Sequence, residues 1–226
     1  MIFKDKVRLA EQYLGHRKTI QIASKDKKKG VYKSGPKKGQ PKTDSKKVPL
    51  SLSDIAEMEG ISLDHLKKAF VNIGVPLRER GRASTTDASN ANDSGKILEG
   101  FIKGFCSVNN IPLTERVEYA KPSLKYAKLQ SVGRQPETEF QLSMNGVLVN
   151  VECKNQSTAG SAEEKIFYTH WVLSRRSEPG IIVICGEGWS AGWVPFIQAE
   201  LSTAKVRILT LAEFLDLLVT TYTLKV

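Results

Sequence analysis

The chain has 226 residues, of which 40% are hydrophobic and 26% charged, a globular composition that excludes wholesale disorder and collagen-like architecture. No stretch approaches the roughly 18 apolar residues of a membrane span, and the start MIFKDKVRLAEQYLG is charged where a secretory signal is apolar, so a cytoplasmic protein without membrane contact is expected. The net charge of +10 is uneven: residues 1–50 carry fifteen Lys and Arg against four Asp and Glu, and the rest is close to neutral. A basic region ahead of a neutral body points to a polyanion, because neutralising phosphates releases counterions. Cys106, Cys153 and Cys185 lie in apolar surroundings at spacings that match no zinc pattern, which fits small buried hydrophobes in a reducing compartment.

The first element is a helix over residues 3–14, with Phe3, Val7, Ala10 and Leu14 on one face and Gly15 ending it. Residues 24–47 hold ten lysines and almost nothing able to build a core; they read as a loop or arm that grips phosphate, with Lys28, Lys37 and Lys38 among its contacts. Residues 51–74 read as two short helices joined at Gly60, capped by Ser53 and Ser62. Ala56, Gly60 and Leu66 have helix-turn-helix order: a small residue where the helices cross, a glycine for the turn and an apolar anchor on the second helix. Asp64, His65, Lys67 and Lys68 then lie on the exposed part of a recognition helix, within reach of base edges or phosphates. A plain αα-hairpin shows the same pattern.

Residues 77–95 are polar and turn-rich and read as a linker, in which Arg78, Arg80 and Arg82 alternate around Gly81. An extended arginine arm suits the narrow minor groove of A·T-rich DNA. The expected organisation is a basic helical module over residues 1–82, a linker over 83–95 and an α/β domain over 96–226. That domain opens with a helical stripe of Ile97, Leu98, Phe101, Ile102 and Phe105, with Glu99 at its edge. Strand-like pieces follow around 117–119 and 124–129, then TEFQLSM and VLVNVEC flanking Asn145-Gly146. After these come a helix over 162–175, a buried strand GIIVIC, a helix near 194–201, a strand VRILTL and a helix over 212–218. In the first of these helices His170 and Trp171 fall among Ile166, Phe167 and Leu173 and read as packing residues.

Asn-Gly is the strongest two-residue hairpin signal, and it fixes a register in which partner numbers sum to 291. Phe140, Leu142 and Met144 then face Val151, Val149 and Val147 on an apolar side. The other side carries Glu137, Glu139, Gln141 and Ser143 against Leu148, Asn150, Glu152 and Lys154. Glu139 sits opposite Glu152, and two carboxylates about 5 Å apart repel unless a proton or cation lies between them. A divalent ion resolves the repulsion: hard carboxylate oxygens suit Mg²⁺, which lowers the pKa of a bound water and shields a phosphodiester. Lys154, on the same face, is placed to orient that water or to stabilise charge developing on phosphorus. An ordinary amphipathic hairpin with a Glu137–Lys154 ion pair is the plain alternative.

Pro136-Glu137-Thr138-Glu139 followed by Val149-Asn150-Val151-Glu152-Cys153-Lys154 resembles the PD-(D/E)XK nuclease superfamily. The resemblance implies a restriction-endonuclease-like core, a mixed central sheet flanked by helices in α-β-β-β-α-β order, here preceded by a small helical DNA-binding module. It puts Glu152 and Lys154 at the (D/E)XK positions and an acidic residue of the preceding strand at the first metal position, where a glutamate replaces the usual aspartate. Glu137 follows the proline, as the motif's name suggests; Glu139 has the better register and is favoured. A helical glutamate near the metal is matched by Glu99. The segment from Lys154 to Leu173 is similar to the one that follows the motif in type II restriction endonucleases. There Gln156 prolongs the active-site strand toward DNA, and Lys165, placed by a Ser161–Glu164 capping box, approaches the scissile phosphate. The passage from Ser53 to Arg78 resembles helix-turn-helix segments of phage and intron-encoded homing endonucleases.

The function expected from these residues is a Mg²⁺-dependent, sequence-specific endonuclease acting on double-stranded DNA, most simply a type II restriction enzyme. Two active sites for two strands imply a homodimer. A homing or phage-encoded endonuclease shares this chemistry, and a non-catalytic helix-turn-helix DNA-binding protein is the competitor from another class.

Overall fold

Helix α1 (Phe3–Gly15) buries Val7, Leu9, Ala10, Tyr13 and Leu14 along the apolar face that its spacing requires. It opens a computed structural model that describes residues 1–23, 31, 36, 38, 40, 43–77, 87–118, 137–157 and 162–225. The next elements, β1 (Arg17–Ala23) and β2 (Thr43–Pro49), form an antiparallel ribbon running from Arg17↔Pro49 to Ala23↔Thr43. The end of the lysine-rich stretch, read as loop to Lys47, is therefore strand from Thr43 onward. The ribbon is hydrogen-bonded separately from the main sheet and has two strands only.

Helices α2 (Leu52–Glu59) and α3 (Leu63–Asn72) follow, joined at Gly60 with φ +64. The cap of α2 is Ser51 rather than Ser53. Ser51 accepts from the Asp54 amide while the Asp54 carboxylate takes the Ser51 amide, a reciprocal box that leaves Ser53 inside the helix. Asp54 also pairs with Lys18 of the ribbon, and Arg8 of α1 grips Glu59 through two 2.8 Å bonds. Ser62 caps α3 as expected.

Helix α4 (Asp87–Val108) begins well before its apolar stripe, so positions 87–95, read as linker, are helical. No proline interrupts them, and Ala88 and Ala91 favour the helix without adding periodicity. The sheet has the order β3 (Leu113–Glu118), β4 (Glu137–Met144), β5 (Val147–Asn155), β6 (Gly180–Cys185), β7 (Val206–Thr210). Its first two pairings are antiparallel and its last two parallel. Helices α5 (Ala162–Ser174) and α6 (Trp193–Leu201) make the parallel connections, and α7 (Leu211–Thr221) closes the described fold. The strand expected at 124–129 lies outside the described residues.

Alternation along β6 divides the interior. Ile181, Val183 and Cys185 join the larger core with α1, α4 and α7, while Ile182 and Ile184 join a smaller one with Ile166, Leu173 and Ile197 of α5 and α6. The larger core also includes Ile55, Leu66 and Phe70, so the N-terminal helices and the sheet share one apolar interior. All three cysteines are free and buried, and no helix among the described residues is long and apolar enough to cross a membrane. On α5 the buried stripe is Ile166, Thr169 and Leu173, which turns Phe167 and Trp171 outward at 46% and 41% exposure. Trp171 is thus a surface residue, contrary to the packing role expected of it, while His170 is partly buried.

Gly74 (φ +77) meets Gly104 of α4 backbone to backbone: a Cβ on Gly74 would lie 2.1 Å from the Gly104 carbonyl carbon. Gly60 has only its positive φ to require glycine, with nothing within 4 Å. Gly74→Ala is therefore expected to cost roughly 2–4 kcal/mol, from the clash and the left-handed backbone together. Gly60→Ala is expected to cost about 1 kcal/mol. Urea denaturation of the two variants checks the ranking.

Candidate active site

Asn145 and Gly146 take φ +50 and +80, the pair of positive values that a two-residue hairpin turn needs. From them the β4–β5 register runs as expected, Met144↔Val147 to Phe140↔Val151, and Phe140, Leu142, Val149 and Val151 are buried. Beyond Val151 side chains take over from the ladder. The buried Thr138 hydroxyl donates to the carbonyls of Phe140 and Val151, both at 3.2 Å, and the Cys153 amide donates to the Glu139 carboxylate. At this fork Lys154 reaches Glu152 Oε2 at 2.9 Å, the Cys153 carbonyl at 3.0 Å and Glu139 Oε1 at 3.4 Å. Three oxygens from two strands thus surround one cation.

Burial, the Glu152 charge and the more distant Glu99 push the Glu139 carboxyl up to about 7, against the pull of Lys154 and the Cys153 amide. Burial alone would lower Lys154, but Glu152 and Glu139 outweigh it and hold the ammonium well above its ordinary value. Among the described residues no group of three or more His, Cys, Asp or Glu side chains is arranged as a metal cage. The donors at the fork are instead two carboxylates and a main-chain carbonyl, and the Lys154 ammonium among them is a stand-in cation. All three donors are hard oxygens, the set that suits Mg²⁺, which keeps waters in its remaining positions. Glu139 and Glu152, with the Cys153 carbonyl, are the atoms that would hold it.

A profile of the PD-(D/E)XK nuclease superfamily domain matches residues 90–222, more than half of the chain. The chain belongs to that superfamily. This PD-(D/E)XK chain has no match among curated proteins. Among solved structures it is similar to the restriction endonuclease PspGI in complex with substrate DNA, with a TM-score of 0.41 and 8% identity over 76% of this chain and 73% of that one.

The other expected site residues divide by location. Glu99 lies on α4, close enough for its charge to act on Glu139. Glu137 is exposed, with its backbone paired to Glu118 of β3, and Lys154 turns to Glu152 and Glu139 instead of to it. Gln156, expected to face DNA, is buried: its amide donates to the Gly188 carbonyl at 2.7 Å and approaches Glu163. It ties the turn after β6 to the end of β5. Lys165 is exposed on α5, and Asp64, His65, Lys67 and Lys68 are exposed on α3, where Leu66, Ala69 and Phe70 face the core. Lys38 is exposed, while Lys28, Lys37, Arg78, Arg80, Arg82 and Ser161 lie outside the described residues. Two further groups at the fork, Thr138 and the Cys153 carbonyl, lie outside what the sequence pattern points to. Thr138 is a polar residue on the apolar side of its strand, and that mismatch was its only signal.

Glu139 gives the site a measurable titration. Its folded pKa of about 7 exceeds the ordinary 4.5, so between those values the folded chain keeps a proton that the unfolded chain has released. Its contribution to stability therefore declines as pH rises through that window. Glu139→Gln keeps the acceptor without the charge and is expected to be more stable than wild type at pH 8 by about 1–2 kcal/mol, with the gap closing below about pH 4.5. Urea midpoints across pH measure this.

Proposed function

We propose that the protein is a Mg²⁺-dependent, sequence-specific endonuclease of double-stranded DNA, a type II restriction enzyme working as a homodimer. The observation that carries the reading is the convergence of Glu139, Glu152 and the Cys153 carbonyl on one cation, in a chain of this superfamily. Bound there, Mg²⁺ would activate a water and shield the phosphodiester. Lys154, whose pKa is raised, stays an ammonium at any working pH, so its role is to hold charge on the phosphoryl oxygens or to orient the attacking water rather than to accept a proton. Glu139 must lose its proton to ligate, so cleavage rises with pH through about 7. Glu99 supplies further negative charge beside the fork.

DNA is the polyanion that the basic region of residues 1–50 addresses, apart from Arg8 and Lys18, which are paired with Glu59 and Asp54. The exposed face of α3, with Asp64, His65, Lys67 and Lys68, reads bases and phosphates. The lysine-rich arm, with Lys28, Lys37 and Lys38, grips backbone, and Arg78, Arg80 and Arg82 follow the minor groove. Lys165 approaches the scissile phosphate. Cutting both strands of a two-fold site takes two copies of the fork.

Supercoiled plasmid and phage DNA incubated with the purified protein, with and without Mg²⁺, is the direct test; discrete fragments that require the metal are expected. Glu152→Ala and Lys154→Ala should each abolish cleavage while leaving DNA affinity within about tenfold, roughly 1.4 kcal/mol. Substantial cutting by both removes the assignment. Glu139→Gln should lose activity and Glu137→Gln should keep it; the opposite ranking makes Glu137 the ligand. Neutralising four of the ten lysines between residues 24 and 47 should weaken binding to all sequences and flatten the salt dependence by a few units of slope, with the cleaved sequence unchanged.

A further inference from the structure

Helix α5 carries a second, partly aromatic face that the other described residues leave exposed. Glu164, Tyr168, Trp171 and Arg175, the last in the turn closing the helix, recur at steps of four, three and four and are all exposed. Tyr168 is 61% exposed and stacks on Trp171 with ring centroids 6.2 Å apart, and the Arg175 guanidinium lies 4.1 Å from the Trp171 centroid. Phe167 meets Trp193 of α6 edge-on at 5.6 Å, and Trp193 stacks on the half-exposed Phe196, so the aromatic surface continues across both helices. A contiguous patch of this kind marks an interaction site. The charges of the stripe itself have opposite signs, Glu164 at one end and Arg175 at the other, so it lacks the positive field that nucleic acid demands.

We propose that this face is a self-association surface, on which α5 of two copies packs antiparallel about a two-fold axis. The argument is the symmetry of the stripe. In an antiparallel helix pair, facing residues have numbers of constant sum, and here one sum matches 164 with 175 and also 168 with 171. Each copy thus sets its acidic end against the partner's basic end, with aromatic against aromatic between them. Charge and apolar complementarity arise from one patch meeting itself, which is what an isologous interface requires. The steps of four, three and four are those of a helix–helix seam. The inference rests on the two-copy reading above and gives it a surface.

Sedimentation velocity of the full chain without DNA, over a range of concentrations, tests it. Wild type is expected to dimerise. Glu164→Arg and Arg175→Glu, which set like charges opposite each other, should each weaken the dimer by about tenfold or more. The double variant should recover most of the loss, because it rebuilds both ion pairs with their signs exchanged. Far-UV circular dichroism confirms that each variant folds. A wild type that stays monomeric, single variants without effect, or a double variant no better than the singles each overturn the proposal. Plasmid cleavage separates the two readings: a wild-type monomer that cuts DNA defeats this surface and leaves the nuclease standing. A dimer obeying the charge exchange without cutting DNA does the reverse.

Discussion

Lys154 brings a positive charge to a largely buried place, and such a charge costs several kcal/mol unless opposite charge meets it there. Glu152 and Glu139 meet it, yet they repel each other, so neither carboxylates nor lysine would be stable at the fork without the rest. The surrounding structure makes the cluster tolerable. The buried β5–β6 pairing fixes one wall, the Asn145-Gly146 turn fixes the register of the other, and the Thr138 hydroxyl satisfies the carbonyls where the strands part. Crowding and burial leave the Glu139 carboxyl holding its proton up to about pH 7.

What was legible in the sequence follows from which patterns physics enforces. The β4–β5 register was readable because one face is buried, so a slip by one residue would turn Phe140, Leu142 and Val151 outward. That register ranked Glu139 above Glu137, and the contacts of Lys154 follow it. Ser51 and Ser53 are both cap-type residues, and it is the reciprocal bond with Asp54 that makes Ser51 the cap. On α5 a helix apolar on two sides gave no periodicity to tell packed residues from exposed ones. Gln156 stands at the end of β5, where the Gly188 carbonyl and Glu163 give its amide buried partners that a polar residue at a strand end does not announce.

The N-terminal helices were expected to form a module beside the α/β domain, and their interior proves continuous with it. Tyr13 packs on Phe70 with ring centroids 5.4 Å apart, and Phe3 packs on Phe105 of α4 at 6.0 Å, so α1 bridges α3 and the sheet-covering helix. The Arg8–Glu59 and Lys18–Asp54 pairs add directional ties at the surface. Each exposed tie contributes only about 0–1 kcal/mol, so the shared apolar interior dominates the attachment.

The contact between Gly74 and Gly104 therefore bears on how this chain can be recombined. Each glycine is the other's wall: a Cβ on Gly104 would fall 2.0 Å from the Gly74 oxygen. The two positions behave as one unit of inheritance, since neither tolerates a side chain while the other backbone stays in place. A chimaera that takes α1–α3 from one parent and α4 from another must match both halves of this joint. The N-terminal helices are therefore not interchangeable cassettes, and any redesign of them has to begin at the solvent side of α3, leaving the Gly74–Gly104 seam with α4 untouched.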